Sequence, residues 1–227
     1  MTRFLLLLLT LCSTLLLGKD VVPLGVISKC SRHGLAALTF DDGITSGSSL
    51  ILDVLEKNNV RAAFFIIGET LKANNFYVLK RSYDQGHTIG NHTWKHSYLN
   101  KMTDEQIEED VLTTQNGFVP LSRQPLKKFF RPPYGANNQR VYDKLVSMGF
   151  TVVLWNMDLR DWRASKTRQQ IWDSYQKRMS QANPLKDSFI ILLHTKEKTA
   201  ALLPDIIALA KAKGFKLVSL DECISPT

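Results

Sequence analysis

Asp41 and Asp42 stand side by side at the end of an apolar run, and His92-x-x-x-His96 follows further along the chain. One carboxylate and two imidazoles can hold a catalytic divalent metal and still leave a position open for water. A second aspartate beside them is a ready general base for that water. Asp42, His92 and His96 are therefore the candidate ligands and Asp41 the candidate base, a set that points to hydrolysis. The same ligand types also hold Fe(II) in oxygenases. Taken singly, each group has a plainer reading. Asp41-Asp42-Gly43 is a turn sequence, Arg131 reads as a surface cation and His194 as a core histidine. Trp94, Trp155 and Trp172 read as packing residues, and His87 as a structural hydrogen-bonding group. Only the joint pattern argues for a site.

The surrounding elements must bring these groups together. Short apolar or β-branched runs predict strands over 35–40, 62–67, 87–90, 129–130, 151–155, 188–193 and 216–219. Helical spacing lies between them, over 48–58, 71–85, 103–119, 138–148, 166–182 and 204–213. Thr103-Asp-Glu-Gln106 is a capping-box signature. Pro204 and Gly214 bracket the last helix in the order that helices prefer. His92 and His96 would share one face of a single helical turn.

Strand–helix alternation implies a parallel sheet. About seven parallel strands without a Gly-x-Gly-x-x-Gly turn favour a single-domain α/β fold, a distorted, TIM-like (β/α) barrel. The alternation disagrees with the double-sheet β folds usual for iron oxygenases. Each candidate follows the C-terminal end of a predicted strand: Asp41/Asp42 the first, His92/His96 the third, Arg131 the fourth, Asp158/Asp161 the fifth and His194 the sixth. Barrel active sites are built from those loops.

Five ordered segments carry a likeness: Thr39-Phe-Asp-Asp-Gly43, His92-Thr-Trp-Lys-His96, Arg131-Pro-Pro-Tyr134, Asp158-Leu-Arg-Asp-Trp162 and Ile191-Leu-Leu-His194. They resemble the motifs of the polysaccharide deacetylases (carbohydrate esterase family four, the NodB-homology fold), chitin deacetylases above all. The likeness runs from about Leu35 to Leu220. It implies removal of acetyl groups from N-acetylglucosamine polymers, chitin first, with peptidoglycan or acetylated xylan as alternatives. It also implies Zn²⁺, or Co²⁺ or a similar ion, on Asp42, His92 and His96, polarising the acetyl carbonyl and activating water. Asp41 would take the water's proton, held ionised by Arg131. The Tyr134 backbone N–H would steady the oxyanion, and His194, kept protonated by Asp161, would be the general acid. Trp162 would offer a surface for a sugar ring, while Ile191 and Leu193 would shape the acetyl pocket. Ile191, Thr195 and Ser97 stand where relatives often carry leucine, aspartate and proline. None of these changes removes a required group. A wall or carbohydrate-binding protein that keeps the metal without turnover is the competing reading.

Met1 to Gly18 has the pattern of a secretory signal: Arg3, an apolar stretch, then a small residue before Lys19-Asp20. Residues 19–227 are then the catalytic domain, and the expected location is extracellular or wall-associated. Leu16 departs from the small-x-small cleavage rule, which leaves a signal anchor open. No later run is long and apolar enough to span a membrane. With Cys12 inside the signal, a Cys30–Cys223 bridge is expected, since domain ends often lie close together. The loop-entropy model values such a closure at about 5 kcal/mol. The formal charge of +8 suits acidic polymers, walls or anionic membranes, but the cations are scattered with only short clusters, so a solvated basic surface is the default reading. No nucleic-acid motif accompanies it. The sequon Asn91-His92-Thr93 overlaps the candidate ligands and is read as unused.

Overall fold

Every residue of the run Leu35–Asp41 is buried, because that run becomes an interior strand of a parallel sheet. The structure is a computed structural model that describes residues 25–122, 126–135 and 138–225. The expected signal over 1–18 lies outside those residues. Along the chain come β1 (Gly25–Ile27), β2 (Leu35–Asp41), α1 (Ser46–Lys57), β3 (Ala63–Ile66), α2 (Phe76–Asp84), β4 (Thr88–Asn91) and α3 (Asp104–Gly117). Next are β5 (Phe129–Phe130), α4 (Gln139–Ser147), β6 (Thr151–Val153), β7 (Met157–Asp158) and α5 (Arg168–Ser180). Then β8 (Phe189–His194), α6 (Glu197–Ala212), β9 (Lys216–Leu217) and α7 (Leu220–Ile224) complete the series.

All nine strands pair in parallel, in the order β1-β6-β5-β4-β3-β2-β8-β7, with β9 on β2. The path closes through chain continuity. β6 pairs with β5, and β7, a few residues later, pairs with β8. Between them Asn156 patches the seam, its side chain donating to Ser188 O at 2.8 Å and accepting from Ile190 N at 2.9 Å. The result is the distorted barrel expected, with nine strands among the described residues rather than about seven. The short β1 and β7 carry too few residues to show a period.

Strand alternation separates two apolar layers. Leu38, Phe40, Phe64, Ile191 and Leu193 pack outward with Ile51, Leu55, Leu203 and Ile207 of the helices. Ala37, Ala63, Phe65, Phe129, Val153 and Ile190 fill the barrel. Alternation therefore turns Thr39 and Asp41 inward on β2, and Leu192 and His194 inward on β8. Gly90 is required by close approach: a Cβ there would sit 2.6 Å from the Phe65 ring.

Thr103 caps α3 with both bonds of the expected capping box. Two expectations fail. The last long helix starts at Glu197 rather than Pro204, so Pro204 is interior. Interior proline costs roughly 3 kcal/mol, and burial of Leu202, Leu203, Ile206 and Ile207 along the same helix offsets it. His92 and His96 do not share a helical turn. They lie on a loop in which Thr93 (φ 67°) and His96 (φ 58°) are left-handed.

Candidate active site

Asp41 ends β2 and faces the barrel, where it is buried beside the fully buried Arg131. Arg131 Nη1 donates to Asp41 Oδ1 at 2.8 Å and to Thr39 Oγ1 at 2.8 Å. Its Nε donates to Val153 O at 2.9 Å and its Nη2 to Leu154 O at 3.2 Å. The guanidinium lies 4.2 Å from the Phe65 ring centroid, the ring that Gly90 admits. Breaking a buried pair of this kind strands a charge and costs several kcal/mol. Asp41 is thus anchored through Oδ1, with Oδ2 left toward His92 Nε2, 3.7 Å away.

Asp42 turns sharply, with φ at 78°, so its side chain leaves the strand direction of Asp41. It meets His96, with Oδ1 at 3.8 Å from Nε2. One ligand atom each from Asp42, His92 and His96 can be chosen so that all lie within 4.8 Å of one another. His92 Nδ1 is 2.7 Å from Arg131 O, and a carbonyl can only accept. The proton therefore sits on Nδ1 and the Nε2 lone pair is free, the tautomer a metal ligand needs. Burial lowers the pKa of His92; burial together with the neighbouring His92 lowers that of His96. Both are held neutral, the ligating form. The donor set fits a divalent ion.

The loop that carries the histidines is fixed from α3. Asp110 accepts from Trp94 N at 2.6 Å and from Ser97 Oγ at 2.7 Å. Asn91 accepts from Thr93 N at 3.0 Å and donates to Val111 O at 2.9 Å. Fully buried and doubly bonded, Asn91 has no room for a glycan. Asp110 and Asn91 were missed in the sequence because neither is a ligand.

His194 lies opposite Asp41 in the β2–β8 register. Its Nδ1 is 2.7 Å from Asp161 Oδ1, and its backbone N–H donates to Asp161 Oδ2 at 2.8 Å. Thr199 Oγ1 adds a bond to the same carboxylate at 2.5 Å. Burial opposes the His194 charge, but the Asp161 hydrogen bond and the charges of Asp161, Asp41 and Asp42 prevail, and the pKa rises. Thr195, in place of aspartate, binds Asp41 O through both its N–H (3.3 Å) and Oγ1 (3.2 Å).

Tyr134 is left-handed (φ 61°) and exposed, its ring 4.5 Å from that of His96. Trp162 is half exposed, beside Asp161. Ile191 and Leu193 do not join this cluster. Both are fully buried in the layer between strands and helices. Leu192, between them and in register with Thr39 and Asp158, is on the His194 face. Counting back two residues from His194 would have found it in the sequence. Cys30 and Cys223 are bonded, with Cα atoms 4.5 Å apart. Among the described residues no helix is long and apolar enough to cross a membrane.

Comparison with known proteins is consistent with this geometry. Residues 28–153 match the family model described as polysaccharide deacetylase. A peptidoglycan-N-acetylglucosamine deacetylase of Bacillus cereus is 32% identical over 219 residues, covering 92% of this chain and 98% of the relative. The peptidoglycan-N-acetylglucosamine deacetylase PgdA of Listeria monocytogenes is 31% identical over 204 residues, 86% of this chain. That match covers only 40% of the Listeria protein's own length. The solved chitin deacetylase of the fungus Colletotrichum lindemuthianum superposes with a TM-score of 0.83 at 26% identity, covering 91% of this chain and 94% of the other.

Proposed function

Because the chain belongs to the polysaccharide deacetylase family, we propose that it removes acetyl groups from N-acetylglucosamine polymers by metal-dependent amide hydrolysis. The observation that carries this reading is the meeting of the Asp42/His92/His96 donor set with the buried Asp41 and the Asp161-bonded imidazole of His194 on adjacent strands. One divalent ion there, Zn²⁺ or a similar ion such as Co²⁺, would polarise the acetyl carbonyl and lower the pKa of a water.

Asp41 takes the water's proton on the oxygen that Arg131 leaves free. His194, with Nδ1 tied to Asp161, delivers a proton to the leaving amine from Nε2. The Tyr134 N–H supports the oxyanion, and Trp162 carries a sugar ring. Leu192, on the inward face of β8, makes the apolar contact with the acetyl methyl in place of Ile191 and Leu193. Chitin and peptidoglycan are the first polymers, matching what relatives are named for, and acetylated xylan the next. The signal pattern and the bonded cysteines support a secreted or wall-associated protein.

The test is acetate release from chitin oligomers, peptidoglycan and acetylated xylan, with chelation, Zn²⁺ or Co²⁺ re-addition, and an Asp41→Asn variant. Metal-dependent release that falls about 10³-fold or more in the variant supports the reading, in line with loss of a general base. No release from any of the polymers leaves a binding protein instead.

A further inference from the structure

We propose that Arg160, Arg163 and Lys166 form a subsite for a carboxylate on the glycan chain, so that the molecule selects acidic N-acetylated polysaccharides over neutral ones. The inference rests on the preceding functional reading and names its substrate class.

These three cations line a hollow of about 440 Å³ between the loop after β7 and the first half of α5. Arg160 and Arg163 flank Asp161 and Trp162. Successive Cα atoms are about 3.8 Å apart, which places both within roughly 8 Å of the Asp161 Cα along the loop. The loop that presents Asp161 and the exposed indole of Trp162 thus also carries two of the cations of the hollow. Lys166 Nζ is pinned by Leu159 O at 2.9 Å and Ser174 Oγ at 3.0 Å. An ammonium has three donors, so one remains.

Neither guanidinium is paired with a carboxylate among the described residues; Arg163 lies 5.1 Å from the Trp162 ring centroid. Asp173, the carboxylate in the wall, accepts from Gln169 Nε2 at 2.8 Å. Burial and the charges of Arg160 and Arg163 lower the Lys166 pKa, with Asp158 a partial counterweight. Asp161 adds a second, smaller counter-charge.

The loop is also rigid. Arg160 is left-handed (φ 52°), with its N–H donated to Asp158 Oδ1 at 2.7 Å. Lys198 Nζ binds Arg163 O at 2.7 Å and Lys166 O at 3.2 Å. A braced set of cations with free guanidinium forks suits the paired oxygens of a carboxylate. That group has two sources: a uronic acid within the chain, or an acid ether or peptide stem on an amino sugar.

Calorimetric titration of the full chain tests the subsite without turnover. The probes are a neutral N-acetylglucosamine tetramer, a tetramer alternating N-acetylhexosamine with hexuronic acid, and a peptidoglycan tetramer bearing carboxylates. At least one acidic tetramer binds about tenfold tighter than the neutral one at low salt, and the preference shrinks at high salt. Which acidic arm binds identifies the source. Arg160→Asn/Arg163→Gln reduces the preference to twofold or less; asparagine tolerates the left-handed backbone at 160. Arg163→Gln alone gives an intermediate loss and serves if the double variant does not fold. Equal affinity for neutral and acidic tetramers, or a preference that survives the double variant, overturns the subsite. Acidic preference without acetate release would instead overturn the enzyme reading alone.

Discussion

The His194–Asp161 pair holds the most telling balance of forces at the scale of single residues. Burial alone would make His194 a poor acid, yet the bonded carboxylate raises its pKa. A group that works as an acid loses activity as pH rises through its pKa, so the raised value extends the protonated form to higher pH. Asp161→Asn removes the charge and, having one acceptor oxygen, keeps the bond to His194 Nδ1 or the one to His194 N but not both. Its acetate-release profile should lose activity at lower pH than the wild type, with a lower maximum. An alkaline limb at the same pH in both proteins would show that Asp161 does not set the acid. Residue types were legible in the sequence at this scale, because metal, base and acid chemistry each admit few side chains. Facing was less legible. Ile191 and Leu193 matched a motif by letter, but the period of a strand turns them away from His194 and turns Leu192 toward it.

Elements position those residues, and some of them were hidden for definite reasons. The His92–His96 segment has helical spacing but a non-helical backbone, because Asp110 and Asn91 capture its amides in place of a helical ladder. The extent of α6 was missed because proline was read as a start, whereas the buried apolar residues on both sides of Pro204 keep the helix whole. β4 has its own anchor in His87, just before its first residue. His87 Nδ1 accepts from Ala62 N at 3.1 Å, which ties the turn before β4 to β3. Burial, with Arg61 and Arg81 nearby, lowers its pKa from the ordinary 6.5 to about 4. The folded pKa lies below the unfolded one, so the unfolded chain takes up the proton first as pH falls. This contribution is complete above about pH 6.5 and is lost toward pH 4, a swing of about 3 kcal/mol at most. His87→Asn can keep the acceptor without the titration. In urea unfolding, wild type should lose about 2 kcal/mol more than this variant between neutral pH and about pH 4.5. Parallel losses in the two proteins would remove His87 as the cause.

Over the whole molecule, the barrel turns separate stretches of chain into one rim. β2, β4, β5 and β8, with the loop after β7, deliver Asp41, Asp42, His92, His96, Arg131, Asp161 and His194 to the same end. Alternating strand and helix patterns made that convergence legible, since parallel strands place all their C-terminal ends together. Closure through β6 and β7 was not legible, because it depends on pairing between distant segments rather than on local period. The Cys30–Cys223 bond joins the stretch before β2 to α7, and Ser31 N donates to Cys223 O at 2.7 Å beside it. Both ends of the described barrel are thus fastened behind the strands that carry the site. The central claim is that this rim holds one ion for the use of Asp41. Titration of metal-free protein with Co²⁺, read by visible absorption alongside acetate release, tests it most directly. One equivalent should bind and switch on release in the wild type, bind without release in Asp41→Asn, and fail to bind tightly in His96→Ala. Acetate release that persists in metal-free protein, or Co²⁺ binding unchanged in His96→Ala, would contradict the account.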